Sequence, residues 1–164
     1  MRAGAIPLLV VATAALVSCS NDDAADSASG TCETTTTEAE PVLGVEAQAN
    51  STTGHEVWAL FFNTWPLGPG EPVRIPVDEE VKIVWRSTGE GPFAIEANGP
   101  GNETIDPVWG PDPHGSSNWD RPGDEWGTGW LFPTIGCWTF DVSHGDKAAQ
   151  MVAEVFAPAD SDDQ

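Results

Sequence analysis

Between residues 42 and 157 apolar side chains recur at every second position in short runs. Pro and Gly recur between the runs, and no window of eleven or more residues carries a convincing 3.6-residue stripe. Such a chain can bury its apolar side chains on strands but not on helices, because alternate residues share a face only in extended backbone. The runs are Val42 to Ala47, Glu56 to Phe62, Val73 to Val77, Val81 to Arg86, Phe93 to Ala97, Thr128 to Phe132, Cys137 to Val142 and Ala149 to Phe156. In Val81-Lys-Ile-Val-Trp-Arg86 the alternation predicts Val81, Ile83 and Trp85 inward, and in the Cys137 run it predicts Trp138, Phe140 and Val142 inward. The run around Trp58 is apolar on both faces, as expected of a strand covered on both sides.

Composition agrees with this pattern. Among 164 residues there are 17 Gly, 14 Pro, 8 Trp and no Tyr, a turn-rich balance that predicts an all-β chain with almost no helix. The length suits one domain, and seven or eight short strands with Gly and Pro between them fit an immunoglobulin-like β-sandwich. Six Lys plus Arg against 26 Asp plus Glu give a net charge of -20, which argues against nucleic acid or anionic lipid headgroups as partners.

The termini differ from the domain. Arg2, the apolar run Ile6 to Val17 and then Ser18-Cys19 have the zones of a secretory signal, and Leu16-Val-Ser-Cys19 resembles a bacterial lipobox. The expected organisation is a signal peptide over 1–18, a lipidated Cys19 heading an acidic tether over 19–41, the sandwich over 42–157 and an acidic tail over 158–164. Two acyl chains on Cys19 would hold the protein on the outer side of the cell membrane. The domain itself has 17 acidic and 5 basic residues, so acidity is not confined to its ends.

The stretch from Asp106 to Pro133 shows little strand potential beyond its end, and long irregular segments inside compact domains tend to carry function. Trp109, Trp119, Trp126 and Trp130 are expected to dock it on the sandwich as a cover, with Arg121 paired to a neighbouring carboxylate or stacked on an indole. Its Trp109, His114, Trp119, Arg121, Asp124, Glu125 and Trp126 are the candidate ligand-binding residues. Indole faces stack on sugar rings while Asp, Asn and Arg bond hydroxyls, which points to an envelope glycan as the partner class.

Five segments carry a family resemblance: Lys82-Ile-Val-Trp-Arg86, Trp109-Gly-Pro-Asp-Pro-His114, Ser117-Asn-Trp119, Arg121-Pro-Gly-Asp-Glu-Trp-Gly-Thr-Gly129 and Phe132-Pro-Thr-Ile-Gly-Cys-Trp138. Together they resemble a group of small secreted or lipid-anchored actinobacterial proteins. The last segment is also similar to bacterial immunoglobulin-like domains. The resemblance implies a fold and a location, and no reaction.

With Cys19 taking lipid, Cys32 and Cys137 remain, either bridged in an oxidising compartment or with Cys137 as a buried free thiol. Cys137, His144 and Met151 follow the order of a cupredoxin copper set, but their gaps are long for one. His55, His114 and His144 are far apart and no CxxC occurs, so zinc has no pattern to rest on. Carboxylates are plentiful; the pair Asp124-Glu125, with Asp112 and His114 nearby, has the groups for acid–base work or calcium binding, and such acidic groups are usually only solvated. No nucleophile elbow, HExxH or phosphate loop is present. The expectation is therefore a non-enzymatic binding or envelope-associated module without a cofactor. The alternatives are a purely structural envelope lipoprotein or a cupredoxin-like copper protein.

Overall fold

The computed structural model describes residues 32–40, 44–52, 54–62, 65–115 and 117–158. The expected signal peptide, Cys19, most of the tether and all of the acidic tail but Pro158 lie outside the described residues. Twelve strands are described: β1 (Thr37–Glu40), β2 (Gly44–Gln48), β3 (Asn50–Ser51), β4 (Val57–Phe62), β5 (Arg74–Pro76), β6 (Glu80–Ser87), β7 (Phe93–Asn98), β8 (Thr104–Ile105), β9 (Trp109–His114), β10 (Asp124–Leu131), β11 (Gly136–His144) and β12 (Lys147–Phe156). One 3₁₀ turn, Pro100–Asn102, is the only helical element among the described residues. None of these elements is a helix long and apolar enough to cross a membrane.

The strands form two six-stranded sheets, one in the order β1-β2-β4-β6-β10-β9, the other β3-β12-β11-β7-β8 with β5 added to β12. All pairings are antiparallel except β5 with β12. Alternate residues of both sheets meet in one core, where Phe140 of β11 packs against Trp85 of β6 and Trp130 of β10 at ring-centroid distances of 5.3 and 5.0 Å. The two indole N–H groups would be costly to bury alone. Both donate to Thr128 Oγ1, at 2.9 and 2.8 Å, and that hydroxyl donates to the Ile83 carbonyl at 2.9 Å. Its donor and both its acceptor positions are thus filled.

Each of the eight expected runs contains a strand, and Val81, Ile83, Trp85, Trp138, Phe140 and Val142 all face the core. Twelve strands replace the expected seven or eight because β1, β3, β8 and β9 are short or lack apolar alternation. Two expectations need correction. Residues 32–40 belong to the sandwich rather than to a tether extending to 41. Thr35 threads between the sheet-two strands, giving its N–H to Val152 at 2.9 Å and accepting from Val73 at 2.8 Å, and β1 then pairs with β2. Thr37 Oγ1 contacts the carbonyl oxygens of Gly68 and Glu71 at 2.7 and 2.9 Å, which offsets the lack of apolar side chains there.

The stretch from 106 to 133 is also not one irregular loop. Half of it is β9 and β10, and segment 115–123 between them holds no strand among its described residues. Pro111 and Pro113 masked β9, yet Pro is tolerated on an edge strand, and β9 is the edge of its sheet. Gly127 and Gly129 masked the first half of β10. The Trp109 indole lies across them, and a Cβ on Gly129 would fall 1.9 Å from its Nε1. Gly129→Ala is expected to cost about 1–3 kcal/mol in urea denaturation, as overpacking does. The cost should vanish in a Trp109→Ala background; if it persists there, the indole is not what requires the glycine.

At one end of the sandwich a hydrogen-bonded chain joins two buried histidines. Ser87 Oγ lies 2.8 Å from His55 Nε2 and 3.1 Å from His144 Nδ1, and His55 Nδ1 lies 3.3 Å from the Ala148 carbonyl. One set of roles satisfies every contact: His55 gives its Nδ1–H to Ala148, and Ser87 donates to His55 and accepts from His144. Ser87→Ala would leave both ring nitrogens without this partner, so a loss of about 1–3 kcal/mol is expected by thermal or urea unfolding.

Candidate functional site: a cleft beneath the 115–123 segment

The outer face of the first sheet is apolar in its middle, where Trp58 and Leu60 of β4 and Val84 of β6 present side chains away from the core. Segment 115–123 covers them. Trp119 rests in this second apolar cluster at 2% exposure, which accounts for the two-sided apolar pattern of β4.

Two buried carboxylates pin the segment. Glu46 of β2, fully buried, accepts from Trp119 Nε1 at 2.7 Å and from both Nε and a terminal nitrogen of Arg121. The Arg121 guanidinium also lies 3.8 Å from the centre of the Trp58 ring. The hydrogen bond to Glu46 is the main cause that raises the Arg121 pKa above its ordinary value, against the desolvation of burial; the charges of Glu46, Glu38 and Glu40 add to it. A raised folded-state value means that this contribution is complete below the unfolded-state value and fades only above it. The pin is therefore constant on the arginine side from acid to alkaline pH.

Glu125 of β10 is the second carboxylate. It accepts from Arg86 Nε at 2.9 Å and Ser117 Oγ at 2.6 Å, and lies 2.7 Å from His114 Nδ1. Arg86 also donates to the Arg121 carbonyl. His114 and Ser117 both bond the carboxylate, so the order is His–Glu–Ser. A nucleophile relay needs the imidazole between hydroxyl and carboxylate, and this arrangement does not supply it.

Beside the segment a cleft of about 180 Å³ remains open. Leu60, Phe62, Val84 and Trp119 form its apolar lining, and Lys82, His114, Ser117, Asn118 and Glu125 its polar one. Phe62 is 44% exposed, one of the few large apolar side chains so open. The volume is below the roughly 300–1,000 Å³ of sites that enclose drug-sized ligands, so the cleft takes one ring-sized group.

Of the candidate residues read from the sequence, His114, Trp119 and Glu125 line this cleft, and Arg121 stands behind it. The others lie elsewhere. Trp109 lies over Gly127 and Gly129 and gives its N–H to Glu80 at 2.8 Å. Asp112 and Asp124 are exposed. Trp126 lies on the opposite face of β10 from Glu125, stacked on Phe93 at 4.1 Å and edge-on to His144. Trp130 is in the main core. The four tryptophans therefore do not form one platform. Sequence reasoning missed Glu46, Phe62, Lys82 and Arg86 as site residues. For Phe62, Lys82 and Arg86 the one signal was the two-sided apolar pattern of β4 and the mixed apolar and charged second face of β6; Glu46 on β2 had none.

Cys32 and Cys137 form a disulfide with a Cα–Cα distance of 5.6 Å. Cys137 lies on the outer side of β11, whereas His144 and Met151 face inward, so the residues of the copper alternative do not converge. Among the described residues no three His, Cys, Asp or Glu side chains are placed to hold a metal ion. The chain matches no family model, no curated protein and no solved structure.

Proposed function

We propose that this chain is a lipid-anchored, extracytoplasmic sandwich of the immunoglobulin-like kind that binds a saccharide ring of the cell envelope in the cleft beside segment 115–123. The observation that carries the reading is the cleft itself. Outside the main core, an open aromatic ring and an aliphatic floor stand beside an imidazole, a hydroxyl and an amide, the combination that stacks on the apolar face of a sugar and bonds its hydroxyls. The apolar run ending in Leu16-Val-Ser-Cys19 supports the anchor, and the Cys32–Cys137 disulfide suits an oxidising compartment.

A second reading, a purely structural envelope protein, is favoured by the complete internal pairing of Glu46 and Glu125. A screen of envelope glycan fragments read by tryptophan fluorescence separates the two, since Trp119 lines the cleft. The binding reading expects a saturable change that Phe62→Ala abolishes while shifting the unfolding free energy by about 1 kcal/mol or less. If no fragment produces a change, the structural reading stands. For the anchor, palmitate labelling should be lost in Cys19→Ala; undiminished incorporation would refute it.

A further inference from the structure

The cleft carries a cation that the protein does not neutralise. In a chain of net charge -20, Arg74, Arg86 and Arg121 each lie in an ion pair with a glutamate, whereas Lys82 lies in none among the described residues. Lys82 is held instead over the face of Phe62, its Nζ 4.7 Å from the ring centre, on the rim of the cleft. Its cross-strand neighbours are Phe62 and Gly129, neither of them acidic. Glu80, two residues earlier on the same strand face, has its Oε1 occupied by the Trp109 N–H. The carboxylate inside the cleft, Glu125, is only 4% exposed and already faces Arg86, Ser117 and His114. Among the residues that line the cleft, Glu125 is matched by Arg86 and Lys82 is left as a cation without an ion-pair partner, although the molecule is strongly acidic. At physiological ionic strength charges beyond roughly 8 Å are largely screened, so this local balance decides.

Resting on the binding reading above, we infer that the ring bound in the cleft is an acidic sugar of the uronic-acid type. Its apolar face lies on Phe62, and its carboxylate meets the Lys82 ammonium. Lys82 then determines specificity, and Phe62 both stacks the ring and positions the ammonium.

Glucuronate and glucose test this, because they differ only in a carboxylate against a hydroxymethyl group at one carbon. Titration of the mature protein with each, followed by NMR shift changes, should show glucuronate binding roughly threefold to fivefold more tightly, the range an exposed ion pair supplies. Lys82→Gln, at an exposed position, should equalise the two sugars without altering the unfolding midpoint, and added salt should shrink the difference. Equal binding of both sugars to the unaltered protein, or a preference that survives Lys82→Gln, would overturn the acidic-sugar assignment and leave the saccharide reading intact. If neither sugar shifts any resonance of the cleft, both fail.

Discussion

Arg121→Met is expected to destabilise the domain by about 3–5 kcal/mol, the cost of leaving a buried carboxylate without its cation. Glu46 has no exposed surface, and after the change only the Trp119 N–H would remain of its partners. It would also stand directly opposite Glu38 of β1, a like-charge cross-strand pair that the guanidinium now compensates. Adding Glu46→Gln should recover most of the loss, because the amide removes the charge and keeps an acceptor for Trp119. Urea denaturation of both variants measures this. A loss under about 1 kcal/mol in the single variant would mean that segment 115–123 is held by its apolar contacts alone.

Breaking the Cys32–Cys137 bond is expected to cost slightly more. Its sequence separation of 105 corresponds to about 4.7 kcal/mol of loop-closure entropy in the unfolded chain, or a fall of roughly 15 °C in Tm. Cys32→Ser, Cys137→Ser and the double variant should melt together, and reductant should bring the unaltered protein to the same midpoint. A midpoint insensitive to reductant would show that the bridge contributes nothing to the folding equilibrium.

The sheet pattern was legible because period two is a local property: Trp85, Trp138 and Phe140 declare their faces through their immediate neighbours. β9 and the first half of β10 were hidden because the residues that permit their packing, Pro111, Pro113, Gly127 and Gly129, are poor strand formers. The reason for two of them, the Trp109 indole, lies on another strand. The cleft was half legible. His114, Trp119 and Glu125 stood out in an unusual segment, while Glu46, Phe62 and Lys82 sit in ordinary strands and gain meaning only when segment 115–123 lies over them. An exposed-looking Glu in Gly44–Gln48 carries no sign that an arginine 75 residues later will cover it.

The disulfide joins the first described residue to the second residue of strand β11, which is flanked by β7 and β12. A pull applied through the N-terminus therefore reaches the interior of the second sheet by a covalent route and bypasses the hydrogen bonds between β1 and β2. Under tension the loop of chain between the two half-cystines cannot be drawn out, so the contour length released on forced unfolding is limited to the residues beyond Cys137.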